Sequence, residues 1–131
     1  MQILEDECVL LDGGFYLIGR RDRSMRARKS MEALTQGLDR SRFAILLDHQ
    51  PNDCAQEQGR VDLVLSGHTH GGHIFPAGLV GALTGANDII YGKEERGSTT
   101  FIVTSGISGW AIPFKTGTRS EFAVIDVVPA G

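Results

Sequence analysis

At 131 residues, with 41% hydrophobic and 22% charged side chains, the chain has the size and composition of one modest globular domain and is too short for two. No apolar run approaches the roughly eighteen residues that span a bilayer. The opening MQILEDECVLLDGG lacks a basic stretch followed by an apolar one, so no signal peptide is expected. The net charge of −3 is unevenly placed: residues 20–29 (RRDRSMRARK) carry +5, leaving −8 for the remainder.

In chain order, CVLL (8–11) and FYLIGR (15–20) flank Asp12-Gly13-Gly14 and predict a hairpin. SMEALTQGL (30–38) predicts a short helix capped by Ser30, with Met31, Leu34 and Leu38 on one face. RFAILLDH (42–49) predicts a buried strand. PNDCAQEQG (51–59) predicts a helix that Pro51 starts and Gly59 ends. VDLVLS (61–66) is the next buried strand, and LVGALTGANDII (79–90) is a weak mixed segment. TTFIVTSG (99–106) and EFAVIDVV (121–128) are rich in β-branched and aromatic residues and predict two more strands. Alternating strands and helices predict an α/β sheet, with no repeats and no linkers. Cys8 and Cys54 are far apart and form no CxxC pair, so they predict half-buried thiols rather than a disulfide framework or a thiolate zinc site.

Three of the four histidines fall within SGHTHGGH (66–73). His49 ends one predicted strand and His68 follows the next. If those strands pair in parallel, both ends emerge at one sheet edge, where α/β folds gather functional groups. In an extended chain, residues two apart point to the same side, so His70 would join His68 in one space. Gly71 and Gly72 allow a sharp turn or a close approach to an ion. Neutral imidazole ligates zinc, manganese, iron and related ions, so His49, His68 and His70 are the candidate metal ligands. His73 is an odd step away and reads as a residue behind the ligands or at the surface. Asp48 reads either as an acceptor that fixes a histidine tautomer or as a capping or solvated residue. The 20–29 segment reads either as a solvated loop or as a cationic lip that attracts phosphorylated substrates or anionic lipid. It has no interleaved aromatics, so nucleic acid is not expected as a partner.

LLDHQP followed by LVLSGHTHGGHIFP, together with GRRDRS and the tail SGISGWAIPFKTGTRSEF, resembles the calcineurin-like metallophosphoesterases, in particular the bacterial branch related to membrane-associated phosphodiesterases. The resemblance covers nearly all of residues 1–131. It implies an α/β fold, the C-terminal half of a four-layer αββα sandwich with mixed sheets. It also implies hydrolysis of phosphomonoesters or phosphodiesters at a dinuclear centre of divalent ions (Mn, Fe or Zn). His49 and His68 would serve one ion and His70 the other. Arg20 in the cationic stretch, and Trp110 and Arg119 in the tail, are the candidate substrate contacts. The alternatives are a core or rim aromatic for Trp110 and a structural pair with Glu121 for Arg119. Ser105 has no neighbouring base and no G-x-S-x-G context, so it is not read as a nucleophile.

The family's Asp-x-His, Gly-Asp-x-x-Asp and Gly-Asn-His motifs, which precede the position of His49, are absent, and glutamine is usual where His73 stands. Those motifs bring the bridging carboxylate and the remaining ligands. Without them the chain is expected to hold at most one ion and to hydrolyse little or nothing unaided. Half of a two-sheet sandwich leaves strand edges open, so a homo-oligomer formed through exposed sheet edges is expected. The rival reading is a non-catalytic metal-binding or assembly domain built on the three histidines. A small-molecule or lipid phosphoester is the expected substrate. The chain is expected to be soluble as given, with any membrane anchor upstream.

Overall fold

The computed structural model describes residues 3–12, 14–72, 87–107 and 116–128. They form one six-stranded mixed sheet: β1 (Glu7–Leu10), β2 (Tyr16–Gly19), β3 (Ala44–Leu47), β4 (Leu63–Ser66), β5 (Gly92–Arg96) and β6 (Thr99–Val103), in the order β1-β2-β3-β4-β6-β5. The four central strands run parallel, and β1 and β5 close the edges antiparallel. Two short helices, α1 (Met31–Thr35) and α2 (Cys54–Glu57), lie in the crossovers from β2 to β3 and from β3 to β4. The α/β class and the strand–helix order expected for the first 66 residues are those observed.

Register explains the core. Ile18, Leu46, Val64 and Phe101 are aligned across the four parallel strands and are at most 1% exposed. Met31 and Leu34 of α1 and Cys54 of α2 pack on that row, so the helices cover one face. At about 25 cal/mol per Å² of buried apolar surface, this row is the main stabilising term. The opposite face presents Leu17, Leu47, Leu65 and Ile102. It borders a cleft of about 760 Å³ whose other wall includes Phe122, Ala123 and Ile125.

Several expectations are corrected. The Ser30 hydroxyl accepts the Ala33 N–H at 3.2 Å as foreseen, but α1 ends at Thr35 because Gln36 is extended and Gly37 has φ +79°. Pro51 does not begin α2. Its carbonyl instead accepts the Asp88 N–H at 2.8 Å, and the helix starts after Asp53 with Asp88 accepting the Cys54 N–H at 2.9 Å. Residues 121–128 form no strand: Glu121 N–H reaches the Gly106 carbonyl at 3.1 Å, but the segment pairs with no strand among the described residues, and propensity alone does not make a strand. β5 was not expected, since GKEER has no apolar alternation. Both of its faces are largely exposed at the sheet edge, where hydropathy carries no signal. Cys54 is fully buried, whereas Cys8 is half-buried.

Candidate metal centre

The parallel register brings the C-terminal ends of four strands to one edge: Gly19, Leu47, Ser66 and Val103. Backbone bonds continue past the strands, from Arg20 N–H to the Leu47 carbonyl (3.0 Å), Asp48 N–H to Leu65 (3.2 Å), Gly67 N–H to His49 (3.2 Å) and Thr104 N–H to Ser66 (3.0 Å). Arg20, Asp48, His49, Gly67, His68 and Ser105 are therefore held on one rim.

His49 and His68 meet there. Nδ1 of His68 lies 3.1 Å from Nε2 of His49, with the rings edge-on and their centroids 4.9 Å apart. As neutral rings, one donates its N–H to the bare nitrogen of the other, so the pair holds one proton between them. With that proton displaced, both nitrogens would be within reach of one divalent ion lying off the line that joins them. Both imidazoles reach solvent. Partial burial, and then the neighbouring His49 ring, lower the His68 pKa below the usual imidazole range, which favours the ligating neutral form.

His70 is placed differently from the expectation. The chain is not extended here: His68 (φ +63°) and His70 (φ +48°) both adopt left-handed backbone, followed by Gly71 (+61°) and Gly72 (+83°). The turn is closed by Thr69 N–H to Gly67 carbonyl (2.7 Å) and Gly72 N–H to Thr69 carbonyl (3.0 Å). Left-handed conformation costs a histidine on the order of 1 kcal/mol and is characteristic of functional sites. Thr118 Oγ1 donates to the His70 carbonyl at 2.7 Å, tying the turn to the tail. Among the described residues no three His, Cys, Asp or Glu side chains are grouped to hold a metal, so His70 does not complete a three-ligand site with the His49–His68 pair.

Arg20 corrects the substrate-contact reading. Its side chain is only 4% exposed and turned inward, 3.1 Å from Asp48, 3.2 Å from Asp53 and 3.2 Å from Glu57. Asp48 is 1% exposed; its carboxylate bonds Arg20 and Arg28 and accepts the Gln50 N–H at 3.3 Å, so of the readings offered the capping one is seen, and it is not solvated. Burial, and then the charge of Asp48, push the Glu57 carboxyl up to about 8. The upward shift favours the protonated form of Glu57 within this group of two guanidiniums and three acids.

Arg119 is exposed, and its carbonyl accepts the Ser105 hydroxyl at 2.6 Å. Glu121 accepts the Ser105 N–H (3.0 Å) and the Tyr91 hydroxyl (2.7 Å), which gives this carboxylate a structural task. Trp110 and His73 lie outside the described residues. The ion group around Arg20 was missed because a sequence does not show that Arg20, Asp48, Asp53 and Glu57 share one interior. The hint was two acids, Asp53 and Glu57, one helical turn apart.

Comparison with known proteins gives a consistent family. The chain is 39% identical to an uncharacterized metallophosphoesterase of Helicobacter pylori strain J99, over 98% of this chain and 36% of that protein. It is 35% identical to a transmembrane protein with metallophosphoesterase domain of Bos taurus, over 70% of the chain and 21% of that protein. It is 30% identical to the uncharacterized metallophosphoesterase YkuE of Bacillus subtilis, over 88% of the chain and 41% of that protein. The chain thus spans about a third of the length of the curated relatives it matches. No family model matches the chain, and no solved structure matches it.

Proposed function

Because the chain belongs to the calcineurin-like metallophosphoesterase family, whose members are named for metal-dependent phosphoester hydrolysis, we propose that it forms the C-terminal, histidine-bearing part of a dinuclear phosphoester hydrolase. The observation that carries this reading is the His49–His68 pair, with nitrogens 3.1 Å apart at the ends of adjacent parallel strands. The two rings would hold one divalent ion through Nε2 of His49 and Nδ1 of His68, and His70 would serve the second. Such ions polarise phosphoryl oxygens and lower the pKa of water. The chain's own residues provide neutral nitrogen donors, a rim fixed by the strand ends, and exposed cations on the 20–29 loop facing incoming anions. Arg20 is not among those cations, so Arg23 and Arg26 replace it as the candidate phosphate contacts.

Three histidines bring no bridging carboxylate, and this chain alone holds at most one ion and turns over little. The substrate is a small-molecule or lipid phosphoester. No helix among the described residues is long and apolar enough to cross a membrane. Metal content by mass spectrometry, with hydrolysis of an aryl phosphodiester in added manganese, tests the reading. Metal held by wild type and lost in His68→Ala, without turnover, is the expected result. A metal content unchanged by His68→Ala would overturn it.

Self-association is the second part of the proposal. Leu10 (53% exposed), Phe122 (78%) and Val124 (78%) present apolar surface beside the sheet and cleft. Light scattering should show a dimer or larger species, and a monodisperse monomer would refute it.

A further inference from the structure

The loop of residues 20–29 runs from β2 to α1 and is fastened at two depths. At its base, the carboxylate of Asp6, in a residue only 3% exposed, accepts the Arg21 N–H at 3.0 Å and the Lys29 N–H at 2.8 Å. Lys29 Nζ also donates to the Asp6 carbonyl at 3.0 Å. One acid thereby clasps both ends of the loop.

Deeper in, the side chains of Arg20 and Arg28, from the loop's beginning and end, converge on the buried carboxylate of Asp48. Arg28 also lies 3.7 Å from Asp53. A segment carrying +5 would by itself repel and extend. Here two of its cations are neutralised inside the protein, while Arg23 and Met25 remain about half exposed. The anchor is not a remote one. Asp48 directly precedes His49, and its N–H is bonded to the Leu65 carbonyl on the strand that leads to His68.

We propose that Asp48 and Arg28 are positioning residues for His49: the Arg28–Asp48 bond ties the 20–29 loop to the end of β3 and thereby fixes the backbone that sets the His49–His68 spacing. This rests on the reading of those two histidines as ion ligands. Neither residue touches the ion. Breaking the tie leaves the loop held only at its Asp6 base and leaves the Asp48 carboxylate to Arg20 and the Gln50 N–H, so the strand end loses its link to the loop. Residues that orient metal ligands in this indirect way typically change metal affinity by about 10–100-fold.

The test compares the full wild-type chain with Arg28→Met, Arg28→Lys and Asp48→Asn. It uses amide hydrogen exchange, the imidazole NMR resonances of His49 and His68 without metal, and calorimetric titration with Mn2+. In Arg28→Met, exchange of residues 21–29 should quicken by about tenfold or more. The His49 resonances should shift, and Mn2+ affinity should fall about tenfold. Arg28→Lys should recover part of each change. Asp48→Asn should act in the same direction, and if it fails to fold, the Arg28 pair decides. A folded Arg28→Met with wild-type exchange and wild-type His49 resonances overturns the proposal. If wild type binds no Mn2+ but Arg28→Met still moves the His49 resonances, the ligand reading fails and the positioning reading stands.

Discussion

Glu57 offers a test of the buried ion group through pH. Its side chain is 1% exposed, and its carboxyl is raised from 4.5 to about 8 by burial and by Asp48. A raised carboxyl means that between those values the folded chain keeps a proton which the unfolded chain releases. Its stabilising contribution is therefore complete below about pH 4.5 and is lost as pH rises through 8. At about 1.4 kcal/mol per unit, the loss is at most about 5 kcal/mol, a large part of a typical domain's stability. Glu57→Gln keeps the shape, accepts from Arg20 through its amide oxygen, and cannot ionise. Urea unfolding at pH 5, 6, 7 and 8.5 should show wild type losing several kcal/mol more than Glu57→Gln over that range. His68 titrates in the same window with the opposite sign, since its pKa is lowered, and the difference between the two proteins removes it. Parallel pH profiles for the two proteins would refute a protonated Glu57 in the folded chain.

Arg20→Met should destabilise by about 3–5 kcal/mol, because it leaves the buried Asp48 and Asp53 carboxylates with Arg28 as their remaining buried cation and takes a hydrogen-bond donor from Glu57; urea midpoints at pH 7 measure it. Gly71→Ala places a Cβ 2.6 Å from the Thr118 methyl in a backbone with φ +61°, and should cost about 1–3 kcal/mol. Thr118→Ser removes that methyl, so the double variant should recover part of the loss in thermal melts. The Cys54 thiol, pushed up to about 12 chiefly by burial, should resist iodoacetamide at pH 8 in the folded chain while Cys8 reacts slowly, as peptide mass spectrometry would show.

The parts of the fold legible in the sequence are the central strands, which are apolar on both faces, one under the helices and the other along the cleft. Ala44–Leu47 and Leu63–Ser66 are continuous apolar runs because they lie in the middle of a parallel sheet. The edge strand Gly92–Arg96 was invisible for the reverse reason, and 121–128 looked like a strand because its alternation describes what it could pair with, not what it does pair with. At the site, the meeting of His49 and His68 follows from parallel pairing of consecutive strands. The placement of His70 does not, since the rule for extended chains fails once two histidines and two glycines enter left-handed backbone. Arg20 was misread because a basic cluster looks like surface. Only the fold shows which of its cations point inward to acids that are distant in sequence.

The two edges of the sheet are unequal. β5 is lined by Lys93 paired with Glu95 at 2.8 Å and Arg96 paired with Glu94 at 2.7 Å, a charged border that discourages strand addition. β1 ends on a half-exposed Leu10 and carries no such border. Among the described residues the sheet is thus one-sided toward strand addition. If copies pair as proposed through β1, each would use that edge on the other, and growth by strand addition would end as a two-fold pair rather than continue into a fibre.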